Sequence, residues 1–189
     1  LEENTSDANR LKAALAKVIG TTNIHIDFRA LKNLAVTLRD ANWNVEVTLV
    51  TKDGYVEILD VTSTDSGKPL MGVAIDVGTT TLAAYLVDLA SGEVLAQTGT
   101  YNSQAIFGDD IISRIIHCQL PNGLYDLNHS IINDINKIIM ELAVNQSTLD
   151  QIKAITVAGN TTMIHLLLNL NPEYIRLAPY IPTATHFPI

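Results

Sequence analysis

The stretch Val73-Ala-Ile-Asp-Val-Gly-Thr-Thr-Thr81 is the part of this sequence from which the fold is most directly deduced. It begins within a short apolar run, and a second apolar run, from Thr81 to Val87, follows it. This pattern predicts a buried β-hairpin. Hairpins commonly turn on Asn-Gly or Asp-Gly alone. Here the turn carries a carboxylate, a glycine and three consecutive hydroxyls, a set that suits a metal-bound phosphate.

Each polar residue of the turn has a property that phosphate binding requires. Asp76 offers oxygen to a hard cation such as Mg²⁺, usually through the waters of the metal. Gly78 lets the backbone approach a phosphate without a Cβ, and it tolerates positive φ. Thr79, Thr80 and Thr81 present hydroxyls and backbone N–H groups that can donate to phosphate oxygens. The alternative is an ordinary turn whose polar residues face water, and the position between two apolar strands favours the phosphate site.

The composition indicates a globular protein and narrows its partners. The chain has 189 residues, of which 47% are apolar and 17% charged, so it can build one large core or two small ones. The net charge of −8 argues against a nucleic-acid backbone or an anionic membrane as partner. No apolar run reaches the ~18 residues that a membrane-spanning helix needs. Basic and aromatic residues are not interleaved, which also argues against nucleic acid.

Cys118 is the single cysteine of the chain. It excludes an intrachain disulfide and an iron–sulfur cluster held by this segment alone, and it fits a reducing cytoplasm. We interpret it as a small apolar residue on a helix. The first residues, Leu1 to Ser6, lack an initiator Met and the features of a signal peptide, so we expect a cytoplasmic fragment of a longer polypeptide.

Residues 1–65 predict a small α+β module. Ser6 or Asp7 can cap a first helix, and Asp27 can cap a second. The alternating stretch from residue 43 to residue 50, an Asp-Gly turn and a returning strand then predict a β-hairpin. A polar segment rich in Ser, Asp, Gly and Pro follows, in which we place a linker at residues 66–70.

Residues 71–189 predict an α/β layer with a mixed sheet. The elements expected here are strands at 72–77, 81–88 and 93–101, and helices at about 109–119, 126–145 and 163–170. The short connections between the three strands require antiparallel neighbours. The β-branched run from Ile152 to Ala158 predicts a fully buried central strand.

Two further segments carry candidate functional residues. Gly159, Asn160 and Thr161 follow the predicted central strand and open a helix, a position that suits either an anion or an ordinary helix cap. In the loop before the helix at 109–119, Asp110 and Arg114 have the i,i+4 spacing of a helical ion pair. The functional alternative is that Gln104 and Asp110 reach the phosphate-binding cleft or position the acceptor side.

The hairpin with Asp-x-Gly-Thr-Thr, the third antiparallel strand and the alternating helices and strands resemble one superfamily. They are similar to the first half of the ribonuclease-H-like ATPase domain shared by actin, heat-shock chaperones, acetate kinase and sugar kinases, the ASKHA superfamily. The likeness covers about residues 70–171. It implies that Asp76, Gly78, Thr79 and Thr80 contact the β- and γ-phosphates of ATP and Mg²⁺, and that residues 159–161 line the cleft.

A narrower resemblance rests on three motifs in order: VAIDVGTTT at 73–81, YNSQAIFGDDIISRI at 101–115, and ITVAGNTTMIHLLL at 155–168. This combination is similar to the reductive activators of corrinoid proteins. Those activators combine a [2Fe–2S] ferredoxin domain, a linker, a middle domain and an ASKHA-like domain. With ATP, they return the Co(II) corrinoid of a methyl-transfer protein to Co(I).

The resemblance assigns residues 1–65 to the middle domain and residues 71–189 to the first half of the ASKHA-type domain. It implies a corrinoid protein and ATP as partners, and it is compatible with a homodimer. The iron–sulfur ligands, the second phosphate motif and the adenosine motif are not in this segment, so we expect the isolated fragment to be inactive. The alternatives are a small-molecule kinase of the same superfamily and a non-catalytic, actin-like interaction module.

Overall fold

The computed structural model describes residues 5–64, 69–144 and 146–185, without the side chains of Gln146 and Ser147. The chain divides into two compact units, Leu1–Lys68 and Pro69–Ile189. Each unit contains a mixed sheet, which confirms the predicted α/β class. Within the described residues, no helix combines the length and the apolar character that a bilayer span requires.

The first unit is a three-stranded sheet with two helices. Its elements are α1 (Asp7–Ile19), β1 (Ile24–Ile26), α2 (Phe28–Asp40), β2 (Val45–Lys52) and β3 (Tyr55–Ser63). The sheet has the order β1-β3-β2, with β1 parallel and β2 antiparallel to β3. Ser6 caps α1 and Asp27 caps α2, as predicted. The short strand β1 was not predicted, because three residues carry too little pattern to identify a strand.

The core of the first unit joins both helices to the sheet. It consists of Leu11, Ile24, Ala30, Leu34, Leu38, Ile58 and Val61. Four of these residues come from the two helices, so α1 and α2 owe their stability to the burial of one apolar face against the strands.

The second unit is a four-stranded sheet packed against helices. Its elements are β4 (Met71–Val77), β5 (Thr81–Asp88), β6 (Val94–Tyr101), α3 (Ile111–His117), α4 (Gly123–Leu142), α5 (Gln146–Gln151), β7 (Ile152–Gly159) and α6 (Thr161–Leu167). The sheet has the order β6-β5-β4-β7, and β4 pairs with β7 in parallel. β5 pairs antiparallel with both β4 and β6, which confirms the three predicted antiparallel strands. Helix α5 was not predicted.

The core of the second unit lies between one face of this sheet and helices α4 and α6. The sheet supplies alternate residues of its central strands, Val73, Ile75, Val77, Leu82, Ala84 and Leu86. The helices supply Leu127, Ile131, Ile138, Leu142, Met163 and Leu166. The period of two in the strands places these apolar side chains on one face. Val77 and Leu82, which flank the turn, are both part of this core.

The expectation that residues 152–158 form a buried central strand is wrong. In the described part of the chain, β7 lies at the edge of the sheet, and Ile155 is 50% exposed. Ala154, Thr156 and Ala158 are exposed as well. The apolar, β-branched composition correctly indicates a strand. It does not indicate how many strands pair with it, because strand order is a property of the whole sheet.

Candidate functional site

The hairpin between β4 and β5 is closed by a contact that only glycine permits. Val77 pairs with Leu82, and the amide of Gly78 donates to the carbonyl oxygen of Thr81 at 3.0 Å. A Cβ on Gly78 would lie 2.6 Å from that oxygen. The φ of Gly78 does not lie in the positive region, so the requirement for glycine comes from this close approach and not from the backbone conformation.

The three peptide carbonyls of the turn are held by side chains and backbone behind it. Asn102 donates through Nδ2 to the carbonyl of Gly78 and through its backbone amide to the carbonyl of Thr80, both at 2.8 Å. Arg114 donates through Nη2 to the carbonyl of Thr79 at 2.7 Å. Asn102 and Arg114 are buried, at 1% and 0% exposure, so all three carbonyls point toward the interior.

Because a trans peptide places its N–H opposite its C=O, the same bonds turn amides of the hairpin away from the interior. Within the described residues, the amides of Thr79 and Thr80 donate to no protein acceptor. Thr79 is half-buried, and Thr80 and Thr81 are exposed. The turn therefore presents unused donors on its outer side, where an anion could accept from them.

The carboxylate of Asp76, near the end of β4, adds an oxygen ligand for a cation beside these N–H donors. Asp76 is exposed, and in the described part of the chain it forms no ion pair and no side-chain hydrogen bond. A hydrated Mg²⁺ prefers such an oxygen together with phosphate oxygens. The exposed carboxylate could hold a hydrated Mg²⁺, and the amides and the threonine hydroxyls could donate to phosphate oxygens.

The second predicted motif lies next to the hairpin. The parallel pairing of β4 and β7 brings Gly159 opposite Val77, where a Cβ on Gly159 would lie 2.9 Å from the carbonyl oxygen of Val77. Asn160 caps α6 by accepting from the amide of Met163 at 3.0 Å. Its Nδ2 also donates to Oγ1 of Thr79 at 3.4 Å. The structure therefore shows Asn160 as a helix cap that also contacts the hairpin, and an anion at this position stays a prediction.

Thr161 is placed differently from its neighbour. It is the first residue of α6 and is exposed, and its carbonyl oxygen lies 2.7 Å from Nδ1 of His165. The structure therefore positions Thr161 directly after β7, and among the described residues it forms no hydrogen bond with the hairpin.

The ion pair expected between Asp110 and Arg114 is not formed. The carboxylate of Asp110 caps α3 by accepting from the amide of Ser113 at 2.8 Å. This hydrogen bond is the main cause that lowers the pKa of Asp110. Arg114 turns into the interior instead, where burial lowers its pKa and the charges of Asp109 and Asp110 oppose that shift.

Gln104 does not reach the outer side of the hairpin. It is fully buried and donates through Nε2 to the carbonyl of Leu127 at 2.9 Å. Its Oε1 accepts from Nη1 of Arg114 at 3.2 Å, and its backbone amide donates to Oδ1 of Asn102 at 3.0 Å. Gln104 therefore connects the two residues that hold the turn to helix α4.

Asn102, which binds two carbonyls of the turn, was not among the predicted site residues. It directly follows β6 and precedes the 3₁₀ turn Ser103–Phe107, which it caps. An Asn after a strand is a recognisable signal for such a cap. Nothing in the local sequence indicates that its amide group reaches Gly78, which lies 24 positions earlier.

Comparison with known proteins places this chain in a family. Residues 71–189 match the family described as the RACo middle region, and residues 1–68 match the RACo linker region. The chain is 36% identical over 180 residues to the corrinoid activation enzyme RamQ of Eubacterium limosum, which covers 94% of this chain and 29% of RamQ.

A solved structure described as a reductive activator for corrinoid, iron-sulfur protein is similar over 100% of this chain, with a TM-score of 0.81 and 38% identity. The chain covers 30% of that protein, so it spans less than a third of the length of these two relatives. Residues 1–65, which the resemblance assigned to a middle domain, fall within the part that matches the linker region. The chain belongs to the RACo family and comprises its linker and middle regions.

Proposed function

We propose that residues 71–189 form one wall of the nucleotide-phosphate site in an ATP-dependent reductive activator of a corrinoid protein. The hairpin of Gly78, Thr79 and Thr80 contacts the phosphates. Asp76 holds Mg²⁺ through its waters, and Asn160 and Thr161 lie along the same wall. The fold around this wall is that of the first half of an ASKHA-type ATPase domain.

The observation that carries this proposal is the orientation of the turn. The carbonyls of Gly78, Thr79 and Thr80 are bound by Asn102 and Arg114 on the inner side. A turn that merely faced water would not need three buried donors to orient it. Fixing the carbonyls inward leaves amides for an anion, and pre-orientation removes the cost of ordering the loop when the ligand binds.

The reaction of the whole protein transfers one electron. A [2Fe–2S] centre would supply that electron, and Co(II) in the corrinoid of the partner would be reduced to Co(I). The iron–sulfur centre needs ligands from outside this chain, because clusters of this kind take four Cys ligands and the chain contains one cysteine. Within this proposal, residues 71–189 are assigned to the nucleotide step.

ATP contributes by shifting a conformational equilibrium. A nucleotide that binds one arrangement of the activator more tightly than another favours that arrangement by the difference in binding free energy. Hydrolysis removes the γ-phosphate and with it the contacts to the hairpin. In this scheme, the hairpin couples the state of the nucleotide to the state of the protein.

The test is nucleotide binding by the complete polypeptide as its gene encodes it. Isothermal titration with Mg·ATP should give a measurable Kd, and Asp76→Ala should raise that Kd by about tenfold or more because the waters of the metal lose the carboxylate that accepts from them. Asp53→Ala, at an exposed turn of the first unit, is the matched control and should bind normally. Undiminished binding in Asp76→Ala would overturn the assignment of the hairpin.

A second measurement addresses the corrinoid reaction. The reduction of a Co(II) corrinoid protein is followed by its absorbance, with a reductant, with and without ATP. We expect Co(I) to form only when ATP is present, and Asp76→Ala to abolish the ATP effect. Equal reduction without ATP would contradict the proposed coupling. ATP hydrolysis accompanied by phosphorylation of a sugar or an acid would identify a kinase instead.

A further inference from the structure

Arg114 places a positive charge inside the second unit, directly behind the hairpin. Its side chain is 0% exposed. Its nitrogens donate to the carbonyl of Gly108 at 2.8 Å, to Oε1 of Gln104 at 3.2 Å and to the carbonyl of Thr79 at 2.7 Å. Nη1 also contacts Sδ of Met163 at 3.5 Å. All of these partners are neutral.

No carboxylate in the described part of the chain lies within ion-pair distance of Arg114. Asp109 and Asp110 are the acidic residues whose charges act on it, and both are exposed. The carboxylate of Asp110 is engaged by Ser113. Since a guanidinium in a protein keeps its proton, the interior contains a cation that hydrogen bonds satisfy but no nearby anion neutralises. Burying such a charge is costly unless an anion compensates it.

The position of this cation relative to the hairpin indicates where the compensating anion belongs. Arg114 binds the carbonyl oxygen of Thr79, and the amide of Thr80 is the opposite end of the same peptide group. A cation at the oxygen polarises the peptide and strengthens its N–H as a donor. The cation thus lies at the oxygen end of this peptide group, and an anion would bind at its N–H end.

We propose that Arg114 is a positioning residue of the phosphate site, which orients the Thr79–Thr80 peptide and supplies an internal positive charge that the polyphosphate of the nucleotide balances. This inference rests on the proposed nucleotide site. It adds that the contribution of Arg114 depends on the charge of the ligand, and therefore increases from adenosine to Mg·ADP to Mg·ATP.

The dependence on ligand charge separates this role from a purely structural one. Arg114→Met removes the charge and the hydrogen bonds but retains much of the apolar stem. In the complete polypeptide, we expect this variant to raise the Kd of Mg·ATP by about tenfold or more, that of Mg·ADP by less, and that of adenosine hardly at all. An equal rise for all three ligands would mean that Arg114 only supports the fold, and it would overturn the inference.

Arg114→Lys keeps the charge and one flexible donor group but loses the planar fork. It should weaken the binding of the three ligands by similar, small factors, so that the relative preference for Mg·ATP is retained. This variant also decides the question if Arg114→Met does not fold, because a loss of that preference in Arg114→Lys would contradict the role of the charge.

Two further samples distinguish the failure of this inference from the failure of the proposed function. Leu142→Ala truncates a buried core residue at the end of α4 and should lower stability while leaving the three affinities unchanged. If the wild-type protein does not bind Mg·ATP, the proposed function fails. If Asp76→Ala loses binding while Arg114→Met binds as the wild type does, only the inference on Arg114 fails.

Discussion

The amide of Gly78 donates to the carbonyl oxygen of Thr81 at 3.0 Å, and a Cβ at position 78 would lie 2.6 Å from that same oxygen. One contact therefore closes the turn and excludes every side chain larger than hydrogen. Because the clash would be with backbone, it cannot be relieved by the rotation of a side chain.

Gly78→Ala is therefore expected to open the turn. We expect a loss of about 1–3 kcal/mol in the free energy of unfolding, which is typical of overpacking against backbone, together with a weaker affinity for Mg·ATP. Chemical denaturation and titration calorimetry measure the two effects. Gly20→Ala is the control. Gly20 lies at the end of α1 in the first unit, and a Cβ there would meet no atom, so this substitution is disfavoured only by the φ of 76°. A Gly78→Ala protein with normal affinity would show that the closed turn is not needed for binding.

Asn102→Ala removes the donor to the carbonyl of Gly78 and the acceptor for the amide of Gln104. Since these groups are buried, we expect a loss of about 1–3 kcal/mol in stability and a reduced affinity for Mg·ATP. Asn128→Ala is a matched control in the same unit, where Nδ2 donates to the carbonyls of Leu166 and Leu167. It should lower the free energy of unfolding without changing the affinity. Equal affinities for the two variants would argue against a role of Asn102 at the site.

The cap of α3 predicts a dependence of stability on pH. Hydrogen bonds from Ser113 lower the pKa of Asp110 in the folded protein. A carboxyl with a lowered folded pKa stabilises the protein above its unfolded pKa, and this contribution is lost as the pH falls through the folded pKa. The difference in unfolding free energy between the wild type and Asp110→Ala should therefore be full near neutral pH and shrink in acid.

Asp110→Asn serves as the control for this measurement, because Asn is also a good helix cap but does not titrate. Its stability relative to Asp110→Ala should stay constant over the acidic range, as followed by urea denaturation at several pH values. A wild-type contribution that did not change with pH would show that the ionised form of Asp110 is not what caps the helix.

Cys118 is expected to be a poor nucleophile. Burial raises the pKa of its thiol to about 11. At pH 8 such a thiol is ~0.1% ionised, whereas an ordinary thiol with a pKa of about 8.5 is roughly a quarter ionised, so alkylation should be at least ~100-fold slower. The rate with iodoacetamide, compared with that of free glutathione, measures this. A rate close to that of glutathione would contradict the raised pKa of Cys118.

Much of the hairpin could be predicted because its signals are local. The alternation of apolar residues, the short connection at Gly78 and the hydroxyls of Thr79 to Thr81 lie within a few positions of each other. The same holds for the caps Ser6 and Asp27, whose partners are three and two residues away. Local patterns of this kind determine secondary structure, and secondary structure limits where a polar turn can lie.

The parts that could not be predicted depend on contacts between distant positions. Arg114 has the spacing of an ion pair with Asp110, yet it binds Thr79, 35 positions away. Asn160 contacts Thr79 across 81 positions. Both pairs meet only because β7 lies parallel to β4 and because α3 packs beside the 3₁₀ turn that follows β6.

By itself, the sequence determined which residues turn, which strands pair antiparallel and which side chains could bind a phosphate, since these follow from periodicity and side-chain chemistry. The tertiary structure alone decided that the carbonyls of the turn face inward, that a buried guanidinium lies behind them and that β7 is at an edge. The physical reason is that burial and hydrogen-bond partners are set by which elements pack together. That packing is not encoded in any short stretch of the chain.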